Sequence, residues 1–214
     1  MSVFNGARYL GEQTDSILAQ KDVAVSLYVR DDGSTDETAR ILRTYEAKHD
    51  NVHVIGAANV GVTRSFLSML QLWDFDADYF AFSDADDVWR PEKLAQACRH
   101  IESNRKQTPV LYCGQLEFVD ENLKHLGWGM PVRRPLGVEN ALVESRASGA
   151  TSVFNRRAYE VLCRYSSQRA VLHDAWVYLV ISAFGNVIFD ARAFIRYRQH
   201  GANAIGGKPS AFIR

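Results

Sequence analysis

A chain of 214 residues with 47% hydrophobic content and 25 basic against 25 acidic residues predicts one globular domain spanning residues 1–214, with a sizeable core, and excludes a disordered chain. Zero net charge gives no reason to expect nonspecific affinity for nucleic acid or anionic lipid, so any phosphate recognition has to come from a local arrangement. Cys98, Cys113 and Cys163 are odd in number and sit in apolar segments, which speaks for buried thiols in a reducing compartment and against a disulfide framework. The sequence shows neither a signal-peptide pattern nor an apolar run of about 18 residues, so the expected location is cytoplasmic, with peripheral contact at the inner face of a membrane left open.

Ser2-Val3-Phe4 reads as the end of a strand, Asn5-Gly6 as a turn and 8–20 as a helix. Alternation over 23–29 predicts a strand that ends at Arg30-Asp31-Asp32-Gly33, and Ser34-Thr35-Asp36-Glu37 offers a capping box for a helix through about 48. A second unit follows, with a strand over 52–55, a turn over 56–61, and Phe66, Met69, Leu70 and Trp73 on one helical face. The third has a strand over 78–82, an acidic turn, and a helix opened by Pro91 that turns Leu94, Cys98 and Ile101 inward. Strand, turn and helix repeated in this way predict an α/β fold, a mostly parallel central sheet wound by right-handed crossovers and flanked by helices. Beyond 109 the expected elements are strands over 110–113 and 115–119, an irregular loop carrying Trp128 and the basic pair Arg133-Arg134, helices over 156–165 and 174–184, and strands over 187–189 and 193–197. Residues 206–210, rich in glycine, read as a mobile tail.

The apolar run Tyr79-Phe80-Ala81-Phe82 stops at Ser83-Asp84-Ala85-Asp86-Asp87, which puts three carboxylates within four positions at the carboxyl end of a strand. Crowded carboxylates raise one another's pKa unless a hard cation, a basic partner or solvent relieves them. In an open α/β sheet that end of the strands is also where ligands bind. Asp31 and Asp32 follow a neighbouring strand, so the two acidic turns can face one crevice. One would read a base or ribose while the other holds Mg2+ or Mn2+ against a diphosphate. The plainer alternative for both turns is that they cap the helices behind them.

In this order, Val3-Phe4-Asn5-Gly6, Asp31-Asp32-Gly33-Ser34-Thr35-Asp36, Asn59-Val60-Gly61, Asp84-Ala85-Asp86-Asp87-Val88-Trp89, Pro91-Glu92-Lys93-Leu94, His173-Asp174 and Tyr197-Arg198-Gln199-His200-Gly201 resemble the inverting nucleotide-sugar glycosyltransferases of the GT-A fold, the family 2 type that includes bacterial rhamnosyltransferases. The resemblance runs along nearly the whole chain. It implies that Phe4 packs on the donor's pyrimidine, that Asp31 and Asp32 read base and ribose, that Asn59, Gly61 and Arg64 lie beside the base, and that Asp84 faces the ribose. Asp86 is implied as the metal ligand, with His200 adding a second contact near the diphosphate, and Asp87 as a support for the site or the acceptor. Asp174 matches the family's catalytic acidic residue, the base that takes the acceptor hydroxyl proton, with His173 beside it and Ser148-Gly149 lying against sugar and acceptor. Trp89 is the first choice for stacking on a sugar face, although large aromatics in a domain of this size more often belong to the core.

The implied partners are a nucleotide-diphosphate sugar, with dTDP-rhamnose as the closest fit, and a saccharide or glycolipid acceptor of a cell-surface polysaccharide. Nucleic acid is not among them. Two departures from the family pattern stand out: the first strand and the region after the Tyr197 to Gly201 motif are both shortened. Competing readings are a metal-dependent nucleotidyl- or phosphotransferase, which lacks a glycine-rich phosphate loop with a lysine here, and a noncatalytic nucleotide-sugar binding module, which would not need Asp84, Asp86 and Asp174 together.

Overall fold

In the computed structural model, which describes residues 1–73, 75–103, 108–132, 135–167, 169–201 and 203, the elements run in chain order as follows. β1 (Ser2–Val3), α1 (Leu10–Leu18), β2 (Leu27–Asp31), α2 (Thr38–Lys48), β3 (Val52–Gly56) and α3 (Val62–Leu72) form the first half. β4 (Tyr79–Ala81), β5 (Val88–Trp89), α4 (Lys93–Ser103), β6 (Val110–Val119), β7 (His125–Trp128) and α5 (Val138–Ala141) follow. A single 3-10 turn (Gly149–Thr151), β8 (Val153–Asn155), α6 (Arg156–Arg164), α7 (His173–Phe184) and β9 (Asn186–Arg198) complete the described elements. The Arg133-Arg134 pair and residues 206–210 lie outside the described residues.

β1, β2 and β3 form a parallel three-stranded sheet in that order, as the first strand, turn and helix units predict. β2 begins later than the alternation over 23–29 suggests and extends through Arg30 and Asp31, because β1 pairs there: Ser2 lies opposite Arg30 and Val3 opposite Asp31. The parallel run ends with β3. β4 pairs antiparallel with β8 in a second, mixed sheet ordered β4, β8, β6, β9, β5, with β7 paired to β6. Within it only β6 and β9 run parallel. Alternation has the same period in either pairing direction, so the sequence pattern fixes which face of β4 is apolar but not its partner. β6 and β9 are each continuous where the sequence suggests two strands, because register shifts at Gly114 and Gln115 absorb the interruption without ending the ladder.

Phe66, Leu67 and Leu70 of α3 meet Leu162 of α6, Val177, Tyr178 and Ile181 of α7, and Leu111 and Phe154 of the second sheet in one core cluster. A second cluster packs Leu10 and Ile17 of α1 and Leu42 of α2 on Val3, Val29 and Val52 of the first sheet, and takes in Trp89 and Ile195 from β5 and β9. Trp89 therefore couples the two halves. α6 starts where Asn155 accepts a hydrogen bond from the Ala158 N–H at 3.0 Å, an N-terminal cap. The capping box expected at Ser34 to Glu37 is used differently. α2 has no side-chain cap on its own Glu37 position, and the same residues tie down the turn after β1. Ser34 Oγ accepts from the Asn5 N–H at 2.9 Å, Thr38 Oγ1 from the Gly6 N–H at 2.9 Å, and Asp36 Oδ2 from the Ala7 N–H at 3.2 Å.

Candidate active site

The carboxyl ends of β1, β2 and β4 and the amino end of α7 carry the residues that the motifs single out. Phe4, held by the turn just described, is 52% exposed, so it is a surface aromatic available for stacking and not a core residue. Asp31 ends β2 and its Oδ1 accepts from the Ser34 N–H at 2.9 Å, leaving further acceptor capacity. Asp32 is fully engaged by the protein. It pairs with the buried Arg30 guanidinium, and its carboxylate accepts from the Val60 N–H at 3.1 Å and the Gly61 N–H at 3.0 Å. Asp32 thus fixes the turn that carries Asn59 and Gly61, and Gly61 takes a positive φ of 83° there, a conformation that disfavours any other residue.

An open cavity of about 410 Å³ lies beside this turn, lined by Val60, Gly61, Val62, Thr63 and Arg64 on one side and by Arg169 and Val171 on the other. Asp32→Asn should lower stability by about 3 kcal/mol, since Arg30 would remain as a buried cation without a counter-charge. A denaturant melt reads this, and a loss below about 1 kcal/mol would show that Ser65 Oγ and the Ala58 carbonyl, which also accept from Arg30, suffice.

The acidic turn after β4 splits its three carboxylates. Asp84 is partly buried, and its carboxyl is raised to about 7 by burial first and then by the charges of Asp86 and Asp174. That ordering places Asp174, distant in sequence, within electrostatic reach of the acidic turn. Asp86 is 25% exposed, and its Oδ2 meets His200 Nε2 at 2.9 Å. Asp87 is fully buried: Oδ1 accepts from the Arg198 N–H at 3.0 Å, and burial followed by Asp86 and Asp84 pushes its carboxyl well above the ordinary range. The expected acceptor contact of Asp87 is therefore corrected, because a side chain with no exposed surface supports the turn from behind. Trp89 is corrected in the same way. It is 5% exposed in the core, and the Lys93 ammonium covers one ring face at 3.5 Å, so no face is free for a sugar.

Asp174 opens α7, with Oδ1 accepting from the Ala175 N–H at 2.7 Å and Oδ2 from the Gly149 N–H at 3.2 Å. The 3-10 turn of Gly149 packs so closely that a Cβ there would come within 2.7 Å of His173 Nε2 and 3.2 Å of Asp174 Cβ. Glycine at that position is what lets Ser148 and Gly149 lie against the carboxylate. His173 stacks on Phe66 at 4.1 Å, and burial, opposed by Asp174, lowers its pKa to about 4. It is therefore a neutral imidazole at neutral pH, an orienting group and not a cation.

Tyr197 of β9 also lies within electrostatic reach of the acidic turn: its phenol is raised by burial first and then by the charge of Asp84, with Asp87, Asp86 and Asp174 adding to it. Asn203 is a residue that the motif reading passes over, and it donates from Nδ2 to Asp86 Oδ2 at 3.2 Å. The donor set on the open side of the acidic turn is Asp86 with His200. Among the described residues no group of three or more His, Cys, Asp or Glu side chains is arranged to hold a metal by itself. One carboxylate and one imidazole with converging donor atoms fit a hard divalent cation whose remaining ligands come from phosphate oxygens and water. Among the described residues no helix is long and apolar enough to cross a membrane.

The chain is similar to known glycosyltransferases in sequence and in fold. The chain is 24% identical over 227 residues to the dTDP-rhamnosyl transferase RfbG of Shigella flexneri, covering 98% of the chain and 75% of that protein. It is 25% identical over 210 residues to an uncharacterized glycosyltransferase of Rickettsia prowazekii, covering 94% of the chain but 63% of the relative. Among solved structures, residues 1–349 of TarS from S. aureus superpose with a TM-score of 0.70 at 18% identity, over 92% of the chain and 58% of that 1–349 chain. The mannosyltransferase PcManGT of Pyrobaculum calidifontis, in complex with GDP-Man and Mn2+, superposes with a TM-score of 0.63 at 17% identity, over 94% of the chain and 56% of that structure. These superpositions establish the GT-A fold. The family profile described as glycosyl transferase family 2 matches residues 1–163, and the chain belongs to that family.

Proposed function

We propose that the protein is an inverting glycosyltransferase that moves a sugar from a nucleotide-diphosphate donor to a saccharide hydroxyl, with Asp174 as the base. The observation that carries this reading is the approach of Asp174, from a distant segment, to the acidic turn: burial first, and then the charges of Asp86 and Asp174, raise the Asp84 carboxyl. In the proposed reaction the acceptor oxygen forms a bond to the anomeric carbon as the bond to the diphosphate oxygen breaks, and the hydroxyl proton passes to the Asp174 carboxylate. The Gly149 and Ala175 amides hold that carboxylate in place, and each oxygen keeps a lone pair for the incoming proton. Phe4 stacks on the base, Asp31 and Asp84 take base and ribose hydrogen bonds, and Arg64 borders the base cavity. Asp86 and His200 would hold Mg2+ or Mn2+, which when bound stabilises the charge of the leaving diphosphate.

Similarity to a protein named as a dTDP-rhamnosyl transferase supports dTDP-rhamnose as the donor, and the acceptor in this reading is a polysaccharide or glycolipid. Three free thiols support a cytoplasmic location, and a glycolipid acceptor would bring the protein to the membrane surface. Calorimetric titration with UDP, dTDP and GDP, each with and without Mn2+, tests the reading. The expected result is Mn2+-dependent binding with dTDP tightest. Preference for UDP or GDP would overturn the rhamnose donor alone, and failure of all three to bind would overturn the transferase reading.

A further inference from the structure

Arg198 is the bulkiest of the fully buried side chains, and none of its guanidinium donors is offered to the crevice. Nε donates to the Asp86 carbonyl at 2.7 Å, Nη1 to the Glu121 carbonyl at 2.5 Å, and Nη2 to Glu12 Oε2 at 2.5 Å on α1. Its guanidinium carbon lies 4.5 Å from the centroid of the Tyr9 ring, which in turn lies 4.9 Å from the His200 ring. Its own backbone N–H satisfies Asp87. A buried cation whose one carboxylate partner is 57% exposed is a costly way to fill a core, where an apolar side chain of the same volume would serve stability as well or better. What the planar fork provides that an apolar residue cannot is a fixed direction for three acceptors at once.

We infer that Arg198 is a positioning residue for the proposed cation site: it clamps the main chain of Asp86 from behind, so that the Asp86 carboxylate points at His200. His200 and Asn203 close the same arrangement from the other side. Nδ2 of Asn203 donates to Asp86 Oδ2 at 3.2 Å, and its Oδ1 accepts from the His200 N–H at 2.6 Å. The inference rests on the transferase reading, and its test separates the two.

In Arg198→Lys the charge and most of the length remain, but one ammonium cannot span three acceptors set around a plane. The Mn2+ concentration that gives half of the metal-induced gain in nucleotide affinity should rise about tenfold or more, with nucleotide affinity in EDTA unchanged. Circular dichroism confirms that the variant measured is folded. A purely structural role would lower the melting temperature and leave the Mn2+ midpoint of the folded protein where it was, and that result overturns the inference. If Arg198→Lys does not fold, Glu12→Ala removes the outer anchor of the same guanidinium at a half-exposed position. There a rise of about threefold is expected, and an unchanged midpoint overturns the inference equally. A wild-type chain whose nucleotide affinity ignores Mn2+ would overturn the cation site and this role together, whereas an unmoved variant beside a metal-responsive wild type overturns the role of Arg198 alone.

Discussion

Asp174→Asn is expected to reduce the transfer rate by about 10³- to 10⁴-fold while nucleotide affinity stays within about twofold of wild type. The substitution keeps shape and volume but removes the only acidic group placed at the start of α7 against the Ser148-Gly149 turn. Asn also changes the local hydrogen bonds in a predictable way. Asp174 accepts from two amides, Gly149 N–H and Ala175 N–H, through its two oxygens, whereas the carboxamide has one oxygen and presents an NH2 to the other donor. A modest loss of stability, about 1 kcal/mol, accompanies the loss of one of these hydrogen bonds. The chemical and structural effects are separated by measuring kcat and nucleotide affinity on the same folded sample. Equal loss of both would remove Asp174 from the role of base, and retention of more than about a tenth of the rate would do the same.

Asp86→Ala has the opposite signature. Removing this carboxylate leaves His200 Nε2 and Asn203 Nδ2 without their shared acceptor and takes one of two protein donors from the proposed cation position. Metal-dependent nucleotide binding should disappear, with affinity falling roughly 100-fold or more to the level that the wild type shows in EDTA, and the variant should be indifferent to added Mn2+. Phe4, Asp31 and the cavity beside Arg64 are untouched, so the weak metal-free affinity should survive. A variant that still gains affinity from Mn2+ would move the cation elsewhere on the acidic turn, with Asp84 as the next candidate.

How far the sequence revealed this site depended on whether each residue's reason for being there was local. Asp84 and Asp86 stand out in the sequence because carboxylates that interrupt an apolar run need an explanation within a few positions, whereas Asp174 is singled out by the family resemblance. Asp87 and Trp89 lie close to Asp86 in sequence yet both are buried, and β5, a strand of two residues (Val88–Trp89), leaves no periodicity from which to read that. Asp32 looked like a twin of Asp31, yet its carboxylate is claimed by Arg30 and by amides 28 and 29 residues further along. The grip of Arg198 on Asp86 depends on pairing β9 with β5 and β6, and no local pattern encodes that. The parallel first sheet followed from the strand, turn and helix periodicity, while the mixed second sheet did not, since three-residue strands such as β4 and β8 can pair in either direction.

The contact between Arg198 and Glu12 spans 186 residues, and β9, the last strand among the described residues, fills the space between β5 and β6. Pairing across such a distance is slow to form, because the loop must close before any contact within it stabilises the fold. On the ribosome, the parallel sheet of β1 to β3 can therefore assemble long before the residues that complete the acidic turn have emerged. A nascent or truncated chain lacking β9 would present Asp84 and Asp86 on an unbraced loop, so the acidic turn is braced only once synthesis has passed that strand.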